Sequence, residues 1–136
     1  MRRRPFLTAA AAVIAFGVPA ARAATVTDYT PDSFAAAQAA GKPILVHIQA
    51  SWCPTCAAQR PILKRLESEA AYKDLLVYNV DFDTQKDVVR QFGARMQSTA
   101  RMQSTLIAFH GGKETARSVG DTKAASIAAL VSTTMQ

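Results

Sequence analysis

Cys53 and Cys56 stand three residues apart in the stretch SWCPTC, and the chain has no other cysteine. Two thiols so close can staple the backbone, supply half of a metal site, or carry electrons reversibly as a dithiol and disulfide. A staple gains little here, because a loop enclosing two residues removes little chain entropy. A structural zinc ion wants four ligands, and completing the set would need both histidines of the chain, His47 and His110, or a second subunit. Copper(I) is content with two soft thiolates. Electron transfer has its own requirement, since the thiolate rather than the thiol attacks a disulfide. A cysteine at the start of a helix meets unpaired N–H groups and the positive end of the helix dipole, which lower its pKa to roughly 3.5–7.5 from about 8.5. If a helix begins near Pro54, Cys53 is the attacking sulfur. Cys56, on the same side of the first turn, can then resolve the mixed disulfide, release the substrate reduced and leave Cys53 and Cys56 bonded.

The elements that must position this pair are legible on either side of it. Thr30 is a candidate cap for a helix opening at Pro31 and running through Phe34 to a stop at Gly41. PILVHI, residues 43–48, is apolar without alternation, as expected of a strand covered on both faces. From about Pro54 a helix carries Ile62, Leu63, Leu66 and Ala70 on one stripe, with Arg60, Lys64, Arg65, Glu67 and Glu69 largely elsewhere. Pro61 falls inside it and should kink it. LLVYNVDF (75–82) reads as a second strand, Thr84 to Phe92 as a helix stopped by Gly93, and TLIAFH (105–110) as a third strand. The Gly111-Gly112 pair suits a hairpin turn into KETARSV, a fourth strand, and a last helix spans about Thr122 to Thr133 with Ile127, Leu130 and Val131 inward. The order implies an α/β fold with a central mixed β-sheet of about four strands sandwiched by helices.

The length fits one domain. Residues 1–23, MRRRPFLTAAAAVIAFGVPAARA, have the basic start, apolar middle and small-residue end of a secretory signal peptide, with Ala21-Arg22-Ala23 as the processing site. The mature domain is then 24–136. The apolar run from Phe6 to Val18 is 13 residues, short of the roughly 20 a spanning helix needs, so no stable membrane insertion is expected. Arg3 and Arg4, followed by Pro5, Phe6 and Leu7, resemble a twin-arginine export signal, so both that route and Sec stay open. Four of the 16 basic residues leave with the signal, which brings the net charge from +6 to +2. No basic cluster interleaved with aromatics remains, and nucleic acid is not an expected partner.

The residues PILVHIQASWCPTCAAQRPIL, then VDFD, the GG pair and Gly120, in this order and spacing, resemble the thioredoxin family from roughly Pro31 to Val131. The most specific part is W-C-x-x-C at a strand-to-helix junction with a proline, Pro61, eight residues after the first cysteine. The resemblance implies a thioredoxin-like fold and a thiol-disulfide oxidoreductase without a bound cofactor. A monomer is expected, acting on protein thiols and disulfides and recharged by an upstream redox partner the sequence does not name. The resemblance also implies that Cys53 is the exposed attacker and Cys56 the more buried resolver. The CPTC spelling is similar to that of membrane-tethered reductants of cytochrome c maturation, which leans the reading toward a periplasmic reductant. The alternative of another class is a module on this fold that binds or delivers copper or another metal.

Around the pair, Trp52 can shield the sulfurs and offer a flat apolar contact, or simply pack. Pro54 and Thr55 control access to the sulfurs. His47 lies six residues before Cys53, where many thioredoxins keep a buried acidic residue. It is either a base for the Cys56 proton or a satisfied core residue. His110, beside two glycines, is expected to be exposed. The family places a cis-proline ahead of the third strand, facing the cysteines, where its backbone pairs with bound peptide; this chain has serine there, and the resemblance implies that the serine and Thr105 contact substrate. Residues 94–105 read ARMQSTARMQST, a six-residue duplication, so Ser98 and Ser104 both qualify. Ser104 is preferred because it precedes Thr105 and the apolar strand. A trans bond is expected there, a cis bond before a non-proline residue costing about 2.5–4 kcal/mol. The extra copy should bulge as a loop or extend the preceding helix, a tolerable surface insertion.

Overall fold

The computed structural model describes residues 22–94 and 104–136. Most of the proposed signal, the interior of the duplicated stretch, and with them Ser98 and the bond entering Ser104, lie outside the described residues. Five strands and four helices alternate as β1 (Thr25–Asp28), α1 (Pro31–Ala39), β2 (Pro43–Gln49), α2 (Pro54–Glu67), β3 (Leu76–Asp81), α3 (Lys86–Gln91), β4 (Thr105–His110), β5 (Lys113–Val119) and α4 (Ala124–Ser132). The sheet is mixed, in the order β1-β3-β2-β4-β5. β3 runs parallel to β1 and β2, whereas β4 is antiparallel to β2 and β5.

Continuous apolar strands in the centre follow from cover on both faces. In β2, Ile44, Val46 and Ile48 join one core with Phe34 and Ala37 of α1 and Val89 of α3. Leu45 joins the other, with Leu63 and Leu66 of α2 and Ile127, Leu130 and Val131 of α4. β4 divides the same way, Ile107 and Phe109 toward the first core and Leu106 and Ala108 toward the second. The period of two along β2 turns His47 to the α2 and α4 side.

Three expectations need correction. The sheet has a fifth strand, β1, at its edge; its four residues are all exposed, so it carries no pattern of burial. The third helix is shorter than Thr84–Phe92, because the Asp81 carboxylate accepts the backbone N–H groups of Asp83 and Thr84 and folds those residues into a turn. Ala70 is not on the α2 stripe: α2 ends at Glu67, and Ala70–Tyr72 form a separate 3-10 turn. The other boundaries agree within two residues. Thr30 caps α1 through its hydroxyl, and Gly41, at φ +67°, reverses the chain after it. Of the glycine pair, Gly111 alone takes a left-handed conformation, at φ +56°, and a Cβ there would meet Gly41 Cα at 3.2 Å.

Candidate active site

Cys53 is the N-cap of α2. Its backbone is extended, at φ −82° and ψ 115°, and its Sγ accepts the backbone N–H of Cys56 at 3.1 Å. Pro54 occupies the first helical position, where a missing N–H costs nothing and a fixed φ favours the turn. The Cys53 carbonyl accepts the N–H of Ala57, the first bond of the helix ladder. The geometry predicted for an activated sulfur is thus built by the local sequence, one turn ending on the atom that carries negative charge as thiolate. Cys53 and Cys56 form a disulfide, with Cα atoms 5.2 Å apart.

Burial departs from expectation. Cys53 is 1% exposed and Cys56 0%, so the pair does not divide into an exposed and a buried member. Joined to each other, the two pack with Ala50, and Phe82 lies against them. Trp52 stays 45% exposed, its indole N–H donating to Asp83 Oδ2 at 2.7 Å and its ring meeting Phe82 edge to face. Pro54 is exposed and Thr55 half-buried, while Ser104 and Thr105 are both buried. His110 is exposed at the opposite end of β4, with Nδ1 at 2.8 Å from the Thr134 carbonyl.

Behind the pair lies a buried polar network. His47 Nε2 is 3.2 Å from Gln59 Oε1 and 3.0 Å from Ser104 Oγ. Gln59 Nε2 donates to the Asp121 carbonyl at 2.7 Å, and Ser104 Oγ donates to the Ile48 carbonyl at 3.2 Å. Burial pushes the His47 pKa down to about 4, the Gln59 contact opposing the shift and the Arg60 charge adding to it. The ring is neutral near pH 7. Gln59 is the member that sequence reasoning missed. Its signal was spacing: Cys56, Gln59, Leu63 and Leu66 are the buried residues of α2 and recur at steps of three and four.

Outside this network, a polar hollow of about 540 Å³ opens beside the start of α2, lined among others by Ser51, Arg60, Asp81 and Thr84. Among the described residues no group of three or more His, Cys, Asp or Glu is arranged to hold a metal ion. No helix among them is long and apolar enough to cross a membrane.

The thioredoxin family model matches residues 25–133. The chain belongs to the thioredoxin family. It is 36% identical over 101 residues to a thioredoxin of Chlamydia muridarum, covering 74% of this chain and 90% of that one. It is 34% identical over 87 residues to a bifunctional thioredoxin reductase/thioredoxin of Mycobacterium leprae, covering 64% of this chain but spanning 18% of that longer protein. The crystal structure of Trxlp from Edwardsiella tarda superposes with a TM-score of 0.71 at 38% identity, over 79% of this chain and 98% of that one. With its helix-capping cysteine pair, this member of the thioredoxin family is a thiol-disulfide oxidoreductase.

Proposed function

We propose that the chain is exported by its amino-terminal signal and works in the periplasm as a dithiol reductant of protein disulfides. The observation that carries the reading is Cys53 Sγ at the start of α2, accepting the Cys56 N–H while bonded to the Cys56 sulfur. In the reduced protein the Cys53 thiolate attacks a substrate disulfide; that bond breaks, a mixed disulfide forms and one substrate thiolate leaves. Cys56 then gives up its proton and attacks the Cys53 sulfur, which expels the second substrate thiolate. Two electrons pass to the substrate and both leaving sulfurs take up protons. A donor dithiol must restore the pair.

Of the two roles open to His47, the burial favours the satisfied core residue. An imidazole held near pKa 4 is a poor acceptor for a thiol proton. Cys56 is better served by the departing substrate thiolate, which is a sulfur base and needs a proton as it leaves. Reduction of insulin disulfides by the mature protein tests this reading. Turnover that vanishes in Cys53→Ser supports it, and stoichiometric Cu(I) retention without turnover in the unaltered protein refutes it. Recovery of the chain from a periplasmic fraction with Ala24 at its amino terminus tests the export half.

A further inference from the structure

Every proton in the network behind the cysteines has its place dictated by two backbone carbonyls, which can only accept. The Asp121 carbonyl takes a hydrogen from Gln59, so the amide nitrogen faces Asp121 and the amide oxygen faces His47. The Ile48 carbonyl takes the one hydroxyl hydrogen of Ser104, so a lone pair of that oxygen faces His47. Both groups presented to His47 Nε2 are therefore acceptors. A neutral imidazole can satisfy them only by carrying its hydrogen on Nε2, shared between Gln59 Oε1 and Ser104 Oγ. All three residues are buried, Gln59 and Ser104 fully, so water does not compete for these bonds.

We propose that Gln59 is a positioning residue: it holds His47 in the Nε2–H tautomer and so aims the ring's single donor at Ser104, fixing the head of β4, where the family resemblance implies that the backbone pairs with bound peptide. The Ser104 carbonyl is itself bonded to the Gly120 N–H at 2.8 Å, so side chain and main chain are pinned together. The docking half rests on the oxidoreductase reading above; the tautomer half does not. The charged groups sharing the groove beside His47 are Arg60, Lys64 and Glu67, all on α2, and none lies within the hydrogen-bonded network itself.

The test is nitrogen NMR of the mature protein labelled in histidine, near pH 7. Protonated Nε2 and bare Nδ1 are expected for His47 in the unaltered protein. A mixture of tautomers is expected in the near-isosteric Gln59→Met. Bare Nε2 in the unaltered protein, or a Gln59→Met spectrum identical to it, overturns the proposal whatever the activity. Gln59→Met should also raise KM for insulin about two- to tenfold, the worth of one neutral hydrogen bond, with the alkylation rate of Cys53 unchanged. A tautomer that shifts while KM stays fixed overturns the docking half. Loss of all turnover in the unaltered protein overturns the function and leaves the tautomer assignment standing on its spectrum.

Discussion

Cys56 donates its backbone N–H to the sulfur of Cys53 across one helical turn, at 3.1 Å, while its own sulfur is bonded to that same atom. A donor already aimed at Cys53 stabilises the thiolate without reorganisation when the disulfide opens. Cys53→Ser should abolish disulfide reduction. Cys56→Ser should still attack but not resolve, so mixed disulfides accumulate and appear as higher bands on non-reducing gels. Resolution at normal rate in Cys56→Ser would show that another group releases the substrate.

His47 should make the fold acid-sensitive. Its folded pKa of about 4 lies below the ordinary value near 6.5, so the unfolded chain binds the proton more readily. The stability is full above about pH 6.5 and falls as pH drops toward 4, by about 3 kcal/mol in all. Glu67 acts in the opposite sense around the carboxylate range, since burial raises its pKa. The lowered Asp81, Glu114 and Asp121 lose their contributions only at lower pH. Denaturant midpoints between about pH 7 and 4.5 should fall steeply in the unaltered protein and much less in His47→Asn. Parallel curves would show that other groups set the acid limb.

A neutral ring behind the cysteines places no negative charge against a thiolate. The reduced form is then disfavoured less than it would be over a carboxylate, and the potential should lie above the thioredoxin-like value of about −270 mV. His47→Asp should move it down and raise the pKa of Cys53. Equilibrium titration in defined thiol buffers and the pH dependence of alkylation measure the two. A potential near −120 mV would instead identify a strong oxidant and refute the reductant reading.

How far the sequence disclosed these features depended on whether they were written in apolar spacing. The central strands and the Cys53 cap could be read because Ile44 to Ile48 are buried on both faces and Pro54 marks a helix start. β1 could not, since Thr25, Val26, Thr27 and Asp28 are exposed and are held by main-chain bonds to β3, which no side-chain pattern reports. Gln59 escaped because a polar residue between Ala58 and Arg60 looks like helix surface, although its step from Cys56 places it inside. The burial of Cys53 was likewise invisible, because it arises from the bond to Cys56 and the approach of Phe82 on the loop after β3.

Trp52, the single tryptophan, is held at the rim by Asp83 while 45% of its surface faces solvent. An aromatic ring pinned beside a redox pair gives a protein substrate a flat apolar contact at little entropic cost. Asp83→Ala frees the indole N–H without touching α2. It should raise KM for insulin about two- to fivefold, toward the low end for a single exposed hydrogen bond, and shift the tryptophan emission. Reduction of a small aromatic disulfide should proceed at the original rate, because such a molecule reaches Cys53 without covering Trp52. Equal losses toward both substrates would mean that Asp83 acts on the cysteines themselves, and the rim would not be a docking contact.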